Sequence, residues 1–185
     1  MYSPKHGVAL AIIAKSGSQS FCNASPSWYI SNEQALLYPL RVLFIRYYLE
    51  RLYSNYSFFK GLAISGSKYN NNLVTFTDTY ESFVDYVLLN EHNDEHFLPQ
   101  VESVRYRGQL TANLILRFED VNEWWPNFFT GKLERLNSAP RLSEIDPNYR
   151  RSEIDAYYAN DANAWNSARK FQRGRDEGIW PLLSA

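Results

Sequence analysis

A chain of 185 residues has room for one domain and can bury a core without disulfides or structural metals. With 45% apolar residues it is globular rather than disordered, and 19 basic against 20 acidic side chains give no global pull toward nucleic acid or anionic membranes. A single cysteine, Cys22, excludes an internal disulfide and a cysteine-based zinc site, and three histidines leave little material for a catalytic metal centre. No run approaches the roughly 20 apolar residues that a membrane-spanning helix needs. The apolar run over residues 7–14 is too short and wrongly flanked for a signal peptide, so a soluble, cytoplasmic protein is expected.

In chain order, residues 8–13 (VALAII) form a continuous apolar run that stops at a Ser/Gly cluster, the pattern of a strand buried on both faces. Ser31 and Gln34 have capping-box spacing for a short helix over residues 31–38, which Pro39 stops. Leu40–Ile45 (LRVLFI) repeats the buried-strand pattern. From Tyr48 to about Phe59, Leu49, Leu52, Tyr53 and Tyr56 recur at three- and four-residue spacing, which predicts a helix. Residues 61–72 are rich in Gly, Ser and Asn and read as a loop. Asp78 and Glu81 suggest a second capping box, ahead of a helical face made by Phe83, Val84, Val87 and Leu88. The polar stretch over residues 90–109 reads as loop, residues 113–118 (NLILRF) as a third buried strand, residues 121–136 as a helix interrupted at Pro126, and residues 151–171 as a last helix. Segments near 74–77 and 104–107 are candidates for edge strands. Alternating strands and helices predict an α/β fold: a single small domain over residues 1–185 with a central parallel β-sheet flanked by helices.

In open parallel sheets, ligands bind beyond the carboxyl ends of the strands. The first strand ends in Lys15-Ser16-Gly17-Ser18-Gln19-Ser20. Gly17 allows a tight turn, the serines offer hydroxyl donors, Lys15 brings a charge, and a following helix would add free N–H groups. This is an anion cradle or a plain strand-to-helix turn, and it lacks the Walker pattern. The second strand ends at Arg46, and Ser54 follows about two helical turns later. The pair reads as a shared ligand site, or as an ion-paired Arg and a solvated Ser.

Taken together, the two segments resemble the 3′-phosphoadenosine 5′-phosphosulfate (PAPS)-dependent sulfotransferases, in particular the carbohydrate branch. Ala14-Lys15-Ser16-Gly17-Ser18-Gln19-Ser20 resembles their 5′-phosphosulfate loop, P-K-x-G-S/T-x-S. Residues 44–56 resemble their 3′-phosphate motif, F-V-R-D-P-x-E-R-L-x-S-x-Y, with Arg46, Glu50, Arg51, Leu52, Ser54 and Tyr56 in register. Residues 79–89, 95–100, 114–121 and 136–141 resemble later segments of that branch, in order. Ala14, Gln19 and Tyr47-Tyr48 depart from the pattern, and the 31 residues from Lys15 to Arg46 are fewer than the family usually places there. The resemblance implies a P-loop-NTPase-like sulfotransferase fold. It implies sulfuryl transfer from PAPS to a hydroxyl or amine, a carbohydrate or other small molecule, with adenosine 3′,5′-bisphosphate (PAP) as product and no metal. A non-catalytic nucleotide- or glycan-binding descendant of the fold is the alternative.

By the same resemblance Lys15 would hold the oxygen bridging sulfate and phosphate. Residues 16–20 would cradle the 5′-phosphate, and Arg46 and Ser54 the 3′-phosphate. Asn137 and Arg141 would complete the nucleotide-binding set. Two residues compete for general base. Glu33 is the only acidic residue between the two motifs and is otherwise a helix-start carboxylate. His96 belongs to a residue type that ordinarily titrates near neutrality, and is otherwise a loop histidine packed beside Pro99. Arg105, Arg107 and Arg141 are surface charges, or contacts to a sulfated acceptor or the nucleotide, and Trp124 and Trp125 pack the core or stack on a ring.

Overall fold

The structure is a computed structural model and describes residues 2–3, 7–13, 15–16, 18, 20–21, 30–64, 79–90, 94–129, 133, 145–173 and 175–176. A two-residue strand, β1 (Tyr2–Ser3), runs antiparallel to β2 (Val8–Ala11). β2 pairs in parallel with β3 (Leu40–Ile45), with Leu10 opposite Val42. On its other side β3 pairs in parallel with a later strand over Leu114–Arg117, with Phe44 opposite Leu116. β3 is thus the central strand, and Val42, Leu43, Phe44 and Ile45 are each at most 1% exposed. Each such side chain contributes about 1.5–3 kcal/mol by burial, which is why this apolar run is a strand with both faces covered.

The connections carry the helices. The short α1 (Asn32–Ala35) precedes β3, and its capping box is formed as the sequence predicts: the Ser31 hydroxyl accepts from Gln34 N, and Gln34 Oε1 accepts from Ser31 N. After β3 comes α2 (Tyr48–Ile64), which runs further than the expected Phe59 and takes in the first residues of the expected loop. α3 (Tyr80–Leu89) is capped by the Thr79 hydroxyl, which accepts from Ser82 N, while Asp78 of the expected capping box lies outside the described residues. The expected loop over 90–109 contains a one-turn helix, α4 (Gln100–Ser103), and a hairpin of β4 (Arg105–Tyr106) and β5 (Gln109–Leu110). Arg107 and Gly108 both have positive φ, 49° and 79°, as a two-residue hairpin turn requires. The hairpin leads into β6 (Leu114–Arg117), a 3-10 turn (Phe118–Asp120) and α5 (Val121–Phe128).

α5 contains Pro126 and ends at Phe128, well short of residue 136. Its buried face of Val121, Trp124, Trp125 and Phe128 holds it in place despite the lost hydrogen bond. The expected last helix is two helices, α6 (Arg151–Tyr157) and α7 (Ala159–Ser167), broken at Tyr158. The chain then runs extended along β6: Arg117 N donates to Arg169 O at 3.3 Å and Arg169 N to Ile115 O at 3.0 Å. The buried Asp176 secures this segment, accepting from Gln172 N at 2.9 Å and from the Arg169 guanidinium. The candidate edge strand near 74–77 lies outside the described residues.

Three apolar clusters follow from the strand alternation. Val8, Leu10, Val42, Phe44 and Leu116 face Phe21, Trp124, Trp125 and Phe128 on one side of the sheet. Leu43 and Ile45 face Val101, Val104 and Ala168 on the other. A third cluster joins α2, α3, α6 and the turn before α4 through Leu52, Tyr56, Phe59, Phe83, Val87, Phe97 and Ile154. Trp124 and Trp125 are therefore core residues, each 1% exposed. The result is a small α/β domain with three parallel strands between helical layers. Among the described residues no helix is long and apolar enough to cross a membrane.

Candidate functional site

Because β2 and β3 are parallel neighbours, the chain leaves both at the same edge. It passes through Ile13 to Lys15 and Ser16 on one side, and through Arg46 on the other. Lys15 takes a left-handed conformation, φ 62°, and Ser16 N donates to Ile13 O at 3.1 Å, which closes the turn. Ser18, Ser20 and Phe21 are helical beyond it. Phe21 anchors that helix by stacking on Trp125, with centroids 5.4 Å apart and planes 3° from parallel. The sequence-based strand–turn–helix is thus present. Gly17, Gln19, Asn137 and Arg141 lie outside the described residues.

Arg46 and the loop touch directly, since the Arg46 guanidinium donates to Lys15 O at 3.2 Å. The Lys15 ammonium sits 4.1 Å from the centre of the Phe58 ring. Burial, and then the positive charge of Arg46, bring Lys15 down from 10.5 to about 8, and among the described residues no carboxylate offsets them. A cation held in this way gains from an incoming anion. Ser54, half-buried, lies one turn before Phe58 on α2, in the same i, i+4 stripe.

His96 meets the same Phe58 ring. Their planes lie 15° apart with centroids at 5.7 Å, and Phe59 packs edge-on against the imidazole. Nδ1 lies 2.6 Å from Asp94 Oδ1. Burial raises the Asp94 carboxyl, but the hydrogen bonds from His96 outweigh it and hold the group below its ordinary value. An ionised carboxylate only accepts, so Nδ1 carries a hydrogen toward Asp94 and, in the neutral ring, Nε2 is the acceptor. The Asn55 amide fixes the backbone here by donating to His96 O at 2.6 Å.

Glu33 is not part of this edge. It lies in α1, which precedes β3, so it sits at the amino end of the sheet, a strand length or roughly 17 Å from Arg46. Its neighbour Asn32 donates to Arg105 O, and Glu33 itself meets the Tyr106 hydroxyl. The expectation that Glu33 lies near the ligand edge is therefore corrected. Arg105, ion-paired with Glu102 at 2.9 Å, and Arg107 belong to that same remote hairpin.

Two residues that sequence reasoning did not single out as site residues hold the edge together. Gln100, fully buried, accepts at Oε1 from Ser16 Oγ at 2.7 Å and from Arg46 N at 3.0 Å, while its Nε2 donates to Arg46 O at 2.8 Å. Asp161 on α7 accepts from Gln100 N, Val101 N and Gln100 Nε2 at 2.8, 3.0 and 3.2 Å. Arg51, 1% exposed, spans from α2 to the loop before α4 and donates to Leu98 O and Glu95 O. It thereby serves as a staple rather than a ligand contact. Among the described residues no cluster of three or more His, Cys, Asp or Glu side chains gathers as a metal site.

No protein family, curated protein or solved structure matches the chain.

Proposed function

We propose that the chain is a PAPS-dependent sulfotransferase of P-loop-NTPase-like fold, which passes a sulfuryl group to a hydroxyl or amine acceptor, a carbohydrate in the first instance. One observation carries the reading: Lys15 and Arg46, the charged residues of the two resembling motifs, adjoin at the carboxyl edge of two neighbouring parallel strands, bonded through Lys15 O. Two anionic groups of one nucleotide need such a pair of adjacent cationic seats.

In the proposed reaction the acceptor's hydroxyl oxygen or amine nitrogen attacks sulfur in line. The bond from sulfur to the bridging oxygen breaks, and its electron pair stays on the 5′-phosphate of the leaving PAP. The Lys15 ammonium donates to that bridging oxygen as charge builds there. Ser18 and Ser20 with their backbone N–H groups seat the 5′-phosphate, Ser16 shapes the turn with its N–H on Ile13 O and its hydroxyl on Gln100, and Arg46 with Ser54 seats the 3′-phosphate. His96 Nε2 takes the acceptor proton while Asp94 holds the ring and balances the imidazolium. His96 replaces Glu33 as base, since Glu33 stands at the other end of the sheet.

The test is a thermal-shift titration with PAP followed by a labelled-sulfate transfer assay. Stabilisation by PAP should be lost in Arg46→Ala and Lys15→Ala, and His96→Asn should lower kcat about 100-fold or more with KM little changed. A wild-type protein that PAP does not stabilise would end this reading. Binding without transfer to any acceptor would point instead to a non-catalytic descendant of the fold.

A further inference from the structure

We infer that Gln100 and Asp161 are a positioning pair that fixes the distance between the loop after β2 and Arg46, and so the separation of the two anions that one ligand can present. This deepens the nucleotide reading above and rests on it. Gln100, itself fully buried, uses both ends of its amide. Oε1 gathers Ser16 Oγ–H and Arg46 N–H, and Nε2 returns to Arg46 O. The main chain of Arg46 is therefore held on both its donor and its acceptor by a single side chain, just past the last paired residue of β3, Ile45.

An amide has no intrinsic preference for which end faces which way. The Arg46 N–H and C=O set it, and Asp161 reinforces it: its Oδ2, which accepts Gln100 N, also takes Nε2, even though burial pushes the Asp161 carboxyl up. The oxygen is thereby directed at Ser16 and Arg46. The same carboxylate accepts the backbone N–H groups of Gln100 and Val101, which fixes the side chain's root as well as its tip. Neither residue is placed to touch a ligand, so both act through Ser16 and Arg46. A fixed separation favours a ligand that engages both seats at once, and leaves a ligand that uses only one seat almost indifferent.

The test compares a two-ended probe, PAP, with two one-ended probes, adenosine 5′-monophosphate and adenosine 3′-monophosphate, by calorimetry on wild type, Gln100→Met and Asp161→Asn. In both variants PAP should weaken at least about tenfold while each monophosphate changes by less than about twofold. Equal losses for all three probes, or no loss for PAP, would overturn the inference. Hydrogen exchange on the unliganded proteins provides an independent readout. The Ser16 and Arg46 amides should exchange faster in Asp161→Asn, while Val42 and Phe44 amides in the same sheet do not. Uniform acceleration, or none, would refute the pair as a positioning device even if Gln100→Met fails to fold. If wild type binds PAP no better than it binds buffer, the nucleotide reading is what falls, and the exchange result then decides the pairing alone.

Discussion

Affinity for PAP should fall as Lys15 loses its proton, and the geometry sets where that happens. Burial first, then Arg46, place the Lys15 ammonium at about 8 in the unliganded protein. A phosphate seated beside it removes both penalties and returns the group toward its ordinary range. Binding above pH 8 must therefore take up a proton. One pH unit above that value about one free site in eleven still carries the ammonium, which is about a tenfold loss of affinity relative to neutral pH. Lys15 is only half-buried, and solvent screening reduces the expected loss to about five- to tenfold. Without ligand the sign reverses. From about 8 to 10.5 the unfolded chain binds more protons than the folded one, so intrinsic stability rises with pH across that window. Calorimetry at pH 7, 8 and 9, in two buffers of different ionisation enthalpy, reads both the affinity and the proton count. Lys15→Met should bind weakly with a flat profile. A wild-type profile flat to pH 9, or an equal slope in Lys15→Met, would refute the reasoning.

Two stability predictions follow from the residues that hold the edge in place. Arg51→Met removes the donor from the part-buried Glu95 O and Leu98 O, and should cost about 1–3 kcal/mol in urea unfolding. A change under about 1 kcal/mol would show that water replaces the guanidinium. Phe21→Ala removes a ring that touches Phe44, Phe118 and Trp125, and should cost about 3–5 kcal/mol by the same measurement. If the loss is small, the helix after Lys15 is held by something other than this packing.

The parts of the fold that were legible in the sequence are those fixed by local pattern. β2, β3 and β6 read as strands because both their faces are covered, so their runs are apolar without alternation. The Ser31–Gln34 cap was legible because all its partners lie within four residues. The break at Tyr158 was not, since no Gly or Pro marks it. It serves long-range contacts, the Tyr158 hydroxyl reaching Phe97 O at 2.8 Å and Asp161 reaching α4. Gln100 looked like a loop residue for the same reason, because its meaning depends on a partner 61 positions away. Glu33 was misplaced for a reason the sequence did contain. A crossover between parallel strands must return to the amino edge before the next strand begins, so the last element before β3 cannot lie at its carboxyl end. Lys15 and Arg46 were legible as neighbours because the same parallel pairing brings their strand ends together.

The extended segment that follows α7 bears on how the molecule can be made. It lies against the flank of β6 that faces away from β3 and is locked there by Asp176. On a ribosome, all three parallel strands emerge before this segment does, at some 5–20 residues per second. Among the described residues this segment is what pairs with that flank of β6, whose backbone groups until then offer the kind of surface that recruits a second strand from another chain. Completion of the sheet thus waits on residues 168–176, and a nascent chain stalled ahead of them carries its own template for misassembly.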